Sequence, residues 1–421
     1  MSIELFRQLG DNIEASWLAE NYNEERLPEI AKEALLRADI PSKTDPWTAV
    51  AWALEQRDLP RQHDPYGQFG EPPITLYRGP RFHIDIYFWF TSTTTLHQHA
   101  FCGAFQVFEG ASLHSWYEFE RDETINMYAQ TGRLDLKVSH VLEKGAVQEI
   151  WPGRRYIHAL YHLNEPSVTI VVRTHKSLIE PPQFDYYKPG LAIDPTFEHE
   201  TITKKIQLAL AMLRAKRPDG DAAIAKLLRE SDLHTSFVLL SAFRASLRLN
   251  TVGDMFGVAP AEDRIAPLID AVIERHGPKA EILRPVFEFR STQDHFVALR
   301  QLSAKPEHRF LFALLMNLDD REHILQIIRE RYPDEDPVER VLDWVFDMSN
   351  TRIAGKDNEN ALGITDFGEA EMFALEGLLR GRNDDEIAAN YAAEAAKAGE
   401  TDIPNALEKI RGSVTFRPLL A

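Results

Sequence analysis

The chain has 421 residues, 44% hydrophobic and 27% charged, with 47 Lys and Arg against 65 Asp and Glu for a formal net charge of −18. A single core seldom grows past roughly 250–300 residues, so more than one packing unit is expected, and the negative charge opposes phosphate backbones and anionic membrane surfaces. The longest apolar run, Phe310 to Met316, is too short to span a bilayer; a lone Cys102 excludes an internal disulfide, and Met1 to Phe6 lacks the features of a signal peptide, so a cytoplasmic location is expected.

Residues 1–70 read as helices. Ile30, Ala34 and Leu35 fall on one stripe, and Asp45-Pro46-Trp47 forms a cap with proline in the first turn ahead of Val50, Ala53 and Leu54. The stretch from Pro60 to Pro73 breaks the periodicity and reads as a loop. From Ile74 to about Lys176 the period becomes two. Phe82, Ile84, Ile86, Phe88 and Phe90 alternate with His83, Asp85, Tyr87 and Trp89, and short segments follow at Phe105–Phe108, Leu113–Phe119, Leu134–Val141, Val147–Trp151 and Val168–Thr174. Many short strands broken by Gly110, Gly132, Gly145 and Gly153 predict a sandwich or barrel. After Pro181-Pro182 and the loop Tyr187–Gly190 the pattern is helical. Helices are predicted at Thr201–Arg217, Asp221–Glu230, Leu233–Leu249, Asp263 to Gly277, Arg321–Tyr332, from Asp336-Pro337 onward, Phe367–Arg380 and Asp384–Lys397, with a core separate from that of the strands.

His97 and His99 stand in i, i+2 relation, so on a strand both imidazoles point to one face and can reach one metal ion. The segment Leu96 to Gly110, LHQHAFCGAFQVFEG, resembles the first motif of the cupins, and Gly145 through Trp151-Pro152-Gly153 to His158 resembles the second. This resemblance covers about residues 74–176. It implies an α+β chain in which a cupin-type β-barrel, or double-stranded β-helix, is preceded by N-terminal helices and followed by a large α-helical domain, with divisions at 1–70, 71–180 and 199–421. In the usual cupin pattern a glutamate seven residues before the motif glycine adds a metal ligand; here that position is Gly103. Glycine there, together with Ile157-His158-Ala159-Leu160 and Asn164-Glu165-Pro166, is similar to the three-histidine thiol dioxygenases, the cysteine and mercaptopropionate dioxygenases. The likeness implies His97, His99 and His158 as ligands of Fe(II), with Zn, Ni or Mn as alternatives. His162 is the rival third ligand, but Asn164-Glu165-Pro166 suggests a turn there.

Thiol dioxygenases carry an inward Ser-x-His-x-Tyr on the closing strand, where this chain reads Thr169, Val171 and Arg173. By period two these three share a face, which makes Arg173 a candidate catalytic residue beside the metal and argues against free cysteine as substrate. Arg78 matches in rough position the family's carboxylate-gripping arginine and is the second catalytic candidate, with Arg81 as its alternative. Cys102 reads as a small buried hydrophobe, and His199, His234, His276, His295, His308 and His323 as surface or cap residues. His83, His114 and His140 lie on strands with their direction undecided. There is no Gly-x-Ser-x-Gly elbow, phosphate-cradling glycine loop or His-Glu-x-x-His, so hydrolase and nucleotide-binding readings lose their usual support. The function expected is that of a mononuclear non-haem Fe(II) dioxygenase acting on a small thiol or other carboxylate-bearing metabolite. The alternatives are a non-oxygenase metallocupin, such as a zinc isomerase or lyase, and a metal-dependent ligand-binding or assembly protein. The partners expected are a small-molecule substrate and dioxygen, with a homodimer as candidate assembly and neither nucleic acid nor membrane.

Overall fold

Four helices come first: α1 (Ser2–Ala19), α2 (Leu27–Ala38), α3 (Ile40–Lys43) and α4 (Pro46–Glu55). Asp45 caps α4 by accepting from Thr48 N, with Pro46 in the first turn as the sequence predicts. The computed structural model describes residues 2–63, 65–66, 69–91, 93–177, 183–249, 261–353, 360–395 and 403–421. Pro181-Pro182 and Lys397 lie outside them.

The strands are β1 (Pro73–Arg78), β2 (Phe82–Trp89), β3 (His97–His99), β4 (Gly103–Glu109), β5 (Ser112–Asn126), β6 (Ala129–Leu142), β7 (Val147–Ile150), β8 (Gly153–His162), β9 (Ser167–Thr174), β10 (Asp185–Tyr187) and β11 (Leu191–Ile193). One five-stranded sheet has the order β1-β2-β9-β4-β7; the other six strands close a barrel in the order β10-β11-β6-β5-β8-β3. The fold is thus mixed α/β, with a closed six-stranded barrel and many helices. Periodicity alone missed β10 and β11, which are three residues each. They carry too few residues to show an alternation, yet they close the barrel between β6 and β3, so the strand region continues to Ile193.

The alternation in β2 has a direct cause, because the strand is buried along its whole length. Phe82, Ile84, Ile86 and Phe88 pack with Phe6, Leu9, Ile13 and Trp17 of α1, while Tyr87 and Trp89 on the opposite face pack with Phe105, Val107 and Val171 and with Leu142, Tyr156 and Leu160 of the barrel. The sheet therefore shares an apolar layer with the barrel on one face and is roofed by the N-terminal helices on the other.

The remaining helices are α5 (Glu200–Arg214), α6 (Gly220–Glu230), α7 (Leu233–Leu249), α8 (Ala261–His276), α9 (Leu283–Leu302), α10 (Pro306–Asn317), α11 (Arg321–Arg331), α12 (Pro337–Ser349), α13 (Glu369–Leu379), α14 (Asp384–Ala395), α15 (Ile403–Gly412) and α16 (Arg417–Leu420). Their core is not separate from the strands, contrary to the expectation. Ala111, Leu113, Tyr161 and Leu163 are part of the cluster formed by α9 to α16, and Ala129, Leu191 and Ile193 part of that formed by α5 to α9. The outward face of a barrel strand is half apolar and has to be covered, and here helices cover it. The buried Arg300 of α9 fixes the junction, donating from Nε to His162 O at 3.0 Å and from a terminal nitrogen to Phe90 O at 2.9 Å.

Candidate metal centre

β3 pairs with β8 so that His97 lies opposite His158, and a register shift carries His99 to Gly153. Opposite residues on antiparallel strands project to the same face, and His99 joins them by the period of two. All three rings are buried, at 3–5% exposure, and their ligand atoms lie within 4.8 Å of one another. The Nε2 atoms of His99 and His158 are 2.9 Å apart, close to the separation of about 3.0 Å between neighbouring donors of an octahedral ion held at about 2.1 Å.

Hydrogen bonding fixes which nitrogen the His97 ring presents. His97 Nδ1 donates to Thr95 O at 2.7 Å, which leaves Nε2 as the lone-pair atom, and that buried Nε2 has no hydrogen-bond partner. Burial lowers the His97 pKa, and it lowers those of His99 and His158 well below the ordinary imidazole value, reinforced by the neighbouring histidines. Three neutral imidazoles aiming nitrogen lone pairs at one point suit a divalent transition ion. The donor set fits a metal; it does not select which metal.

His162 does not join the cluster. Its strand runs to His162 rather than turning before it, so the same face is kept, but four residues of strand carry its ring about 13 Å away from that of His158. There it stacks on Trp89 at 4.7 Å and bonds Ser112 Oγ through Nδ1 at 2.9 Å. His114 is buried with Nε2 at 2.9 Å from the Tyr156 hydroxyl, and its ring lies 5.4 Å from that of His158. His83 is buried too, while His140 is half-buried.

Arg173 lines a cavity of about 390 Å³ together with His97, His99, Phe69, Phe101, Asp85 and Tyr87. Its guanidinium lies over the Phe101 ring at 3.4 Å. Arg78 is not part of that lining: it sits half-buried at the end of β1, opposite His83, with a 3.4 Å contact to Arg61 O. Arg78 pairs with His83 at the hairpin end of β1 and β2, beyond Thr75, Asp85 and Tyr87, which line the cavity. Arg81 is exposed and stacks on Tyr22 at 4.2 Å. Cys102 is fully buried among the residues under α1 and α2, and burial pushes its thiol up to about 12, so it behaves as a small hydrophobe.

Sequence reasoning missed Tyr87 and Asp85. The Tyr87 hydroxyl donates to Asp85 Oδ2 at 3.0 Å, and both residues line the cavity with Arg173. The signal was present in the polar row of β2, His83, Asp85, Tyr87 and Trp89. Burial raises the Tyr87 pKa and keeps the phenol neutral.

Gly103 does more than omit a ligand. At φ +155°, an added Cβ would fall 1.9 Å from Val172 O, so the paired backbone of β9 leaves no room for a side chain at this position.

No family model and no curated protein matches the chain. Among solved structures it is similar to the capsular polysaccharide assembling protein CapF from Staphylococcus aureus, at 16% identity over 30% of this chain and 32% of that one, with a TM-score of 0.17.

Proposed function

We propose that the barrel is of the cupin type and that His97, His99 and His158 hold a mononuclear Fe(II) in a dioxygenase acting on a small thiol or other carboxylate-bearing metabolite. The observation that carries this reading is a single cavity with neutral histidines and an arginine on its wall, at a volume suited to a small metabolite. His97, His99 and His158 would hold the ion through neutral nitrogens, and such an ion would supply open positions for dioxygen and an anionic substrate.

The chain's own residues then have separate tasks. Arg173 pairs with the substrate carboxylate and fixes its orientation. The Tyr87 phenol donates to Asp85 on the same cavity wall, and the Phe101 ring lies against the guanidinium, so Arg173 is bordered by a polar pair and an aromatic face before substrate arrives. Phe69 and Phe101 line the same cavity and exclude water from the paired charges. Free cysteine is disfavoured, because Val171 and Arg173 stand where the related dioxygenases place histidine and tyrosine, and a changed set of polar partners changes which ligand is accepted.

The test is elemental analysis of protein purified without oxygen, followed by oxygen uptake with a panel of small thiols and carboxylates. Iron that is lost in His97→Ala or His158→Ala is expected, with turnover of an anionic substrate other than cysteine. Arg173→Met should raise KM on the order of tenfold or more for a lost charge-assisted contact. Zinc at the triad without oxygen uptake would move the assignment to a non-oxygenase metallocupin, and a triad that retains no metal overturns it.

A further inference from the structure

A second group of three histidines lies outside the triad. His83 comes from β2, His175 follows the end of β9, and His63 arrives from the segment before β1; their ring nitrogens lie within 4.8 Å of one another. His83 is fully buried, whereas His63 and His175 are half-buried, so the group opens toward solvent on their side. His63 also lines the cavity shared by His97, His99 and Arg173.

The ring nitrogens are set up as donors to one point. His83 Nε2 faces Asp85 Oδ2 at 3.2 Å, somewhat off the line of an ideal hydrogen bond, and with its proton on that side the ring presents Nδ1 as a lone pair. That Nδ1 lies 3.1 Å from Nδ1 of His175. Without an ion one ring donates to the other; a cation between them takes the place of that proton and is held by both lone pairs. Donors bound to one ion at about 2.0–2.1 Å are separated by about 2.9 Å in an octahedron and about 3.4 Å in a tetrahedron, and 3.1 Å falls in that interval. A carboxylate behind the ligating imidazole is the arrangement that orients metal-binding histidines generally. His63 lies over His83 at 4.2 Å with its plane inclined by 23° and offers a third nitrogen within 4.8 Å of the other two.

We propose that His63, His83 and His175 form a second site for a divalent transition cation, with Asp85 as the carboxylate that orients His83. The ligands are imidazole nitrogens and the half-buried side is open, so the site takes Zn²⁺, Co²⁺ or Ni²⁺ with water or a small anion completing the shell. Arg78 and Arg173 both act on these histidines as like charges and oppose a cation, which makes binding weaker than three imidazoles alone would give. The site does not depend on the triad: no ligand is shared.

The experiment is a Zn²⁺ titration of the metal-free full chain by calorimetry, with elemental analysis after desalting. His63→Ala and His175→Ala change half-buried residues and should keep the fold, which circular dichroism checks. Each should remove one equivalent and leave the one that depends on His97, His99 and His158. Arg78→Gln should tighten the affected equivalent about two- to fivefold, the worth of one partly exposed like charge. If the triad binds nothing, a single equivalent abolished by His175→Ala still supports the proposal. Binding that both His63→Ala and His175→Ala leave unchanged overturns it.

Discussion

Gly103→Ala isolates the close approach that keeps an acid out of the metal centre. The added Cβ would lie 1.9 Å from Val172 O, 2.9 Å from Val172 C and 3.1 Å from Arg173 Cα. The first contact is about 1.5 Å short of an ordinary van der Waals separation, and the obstacle is main chain on a central strand that pairs on both sides, with β2 and with β4. Neither partner can swing aside as a side-chain tip would. Overpacking of this kind costs about 1–3 kcal/mol, and forcing an L residue to φ +155° adds about 1–3 kcal/mol, so a loss of about 3–5 kcal/mol is expected. The assay is urea unfolding of metal-free protein, reading the midpoint at unchanged slope. Gly145→Ala is the control: its φ is +90° but nothing lies within 4 Å of the added atom, so only the conformational part, about 1 kcal/mol, should appear. A loss below about 1 kcal/mol at Gly103 would refute the reasoning. Gly103→Glu should be no less destabilising and should not tighten metal binding.

Arg300→Met should destabilise the chain by about 3 kcal/mol, because the carbonyls of His162, Phe90 and Asn164 lose a buried donor at about 1–3 kcal/mol each, offset by relief of a buried cation. Chemical unfolding measures it, and a change within 0.5 kcal/mol, the usual range for surface substitutions, would show that the junction is not held this way. Burial pulls His114 and His162 down to about 3, so both stay neutral in the folded protein while the unfolded chain protonates them near pH 6.5. The unfolded state then binds more protons, and metal-free protein should lose stability as pH falls below about 6.5, by up to about 1.4 kcal/mol per pH unit for each such histidine. Asp185, pushed up to about 7 by burial and Asp194, contributes one proton in the opposite sense, so the net fall is set by the larger number of buried histidines. An unfolding midpoint that is flat or rises between pH 7 and 5 would contradict this.

The triad was legible because its information is local: i, i+2 spacing places two rings on one face whatever surrounds them, and the second motif supplies the strand that pairs opposite. The helix termini were legible for a similar reason, since Asp336 accepts from Val338 N and Glu339 N with Pro337 in the first turn. What the pattern could not carry was tertiary. The position of Arg78 depends on where the β1–β2 hairpin turns, and the joint cores depend on which outer barrel face the helices cover. His63 and His175 belong to no periodic segment, so nothing in their spacing links them to His83 until β2 and β9 are paired side by side.

β2 shows how far a period of two can be read once its direction is known. Its polar row places one side chain about every 7 Å along the inner face. His83 stands with His63 and His175; Asp85 and Tyr87 line the cavity with Arg173; Trp89 stacks on His162 and bonds Thr169 Oγ1 at 3.1 Å. Asp85 Oδ2 faces His83 Nε2 on one side and accepts from the Tyr87 hydroxyl on the other, so the outer histidine cluster and the cavity wall share a single carboxylate oxygen. Burial pulls the Asp85 carboxyl up, but His83, Thr75 and Tyr87 beside it outweigh that pull and hold it below its ordinary range, so it is ionised wherever the protein is folded near neutral pH. A charge change at His83 is therefore felt on the cavity wall through one ionised group, which is the physical reason to measure metal at both clusters before assigning activity to one.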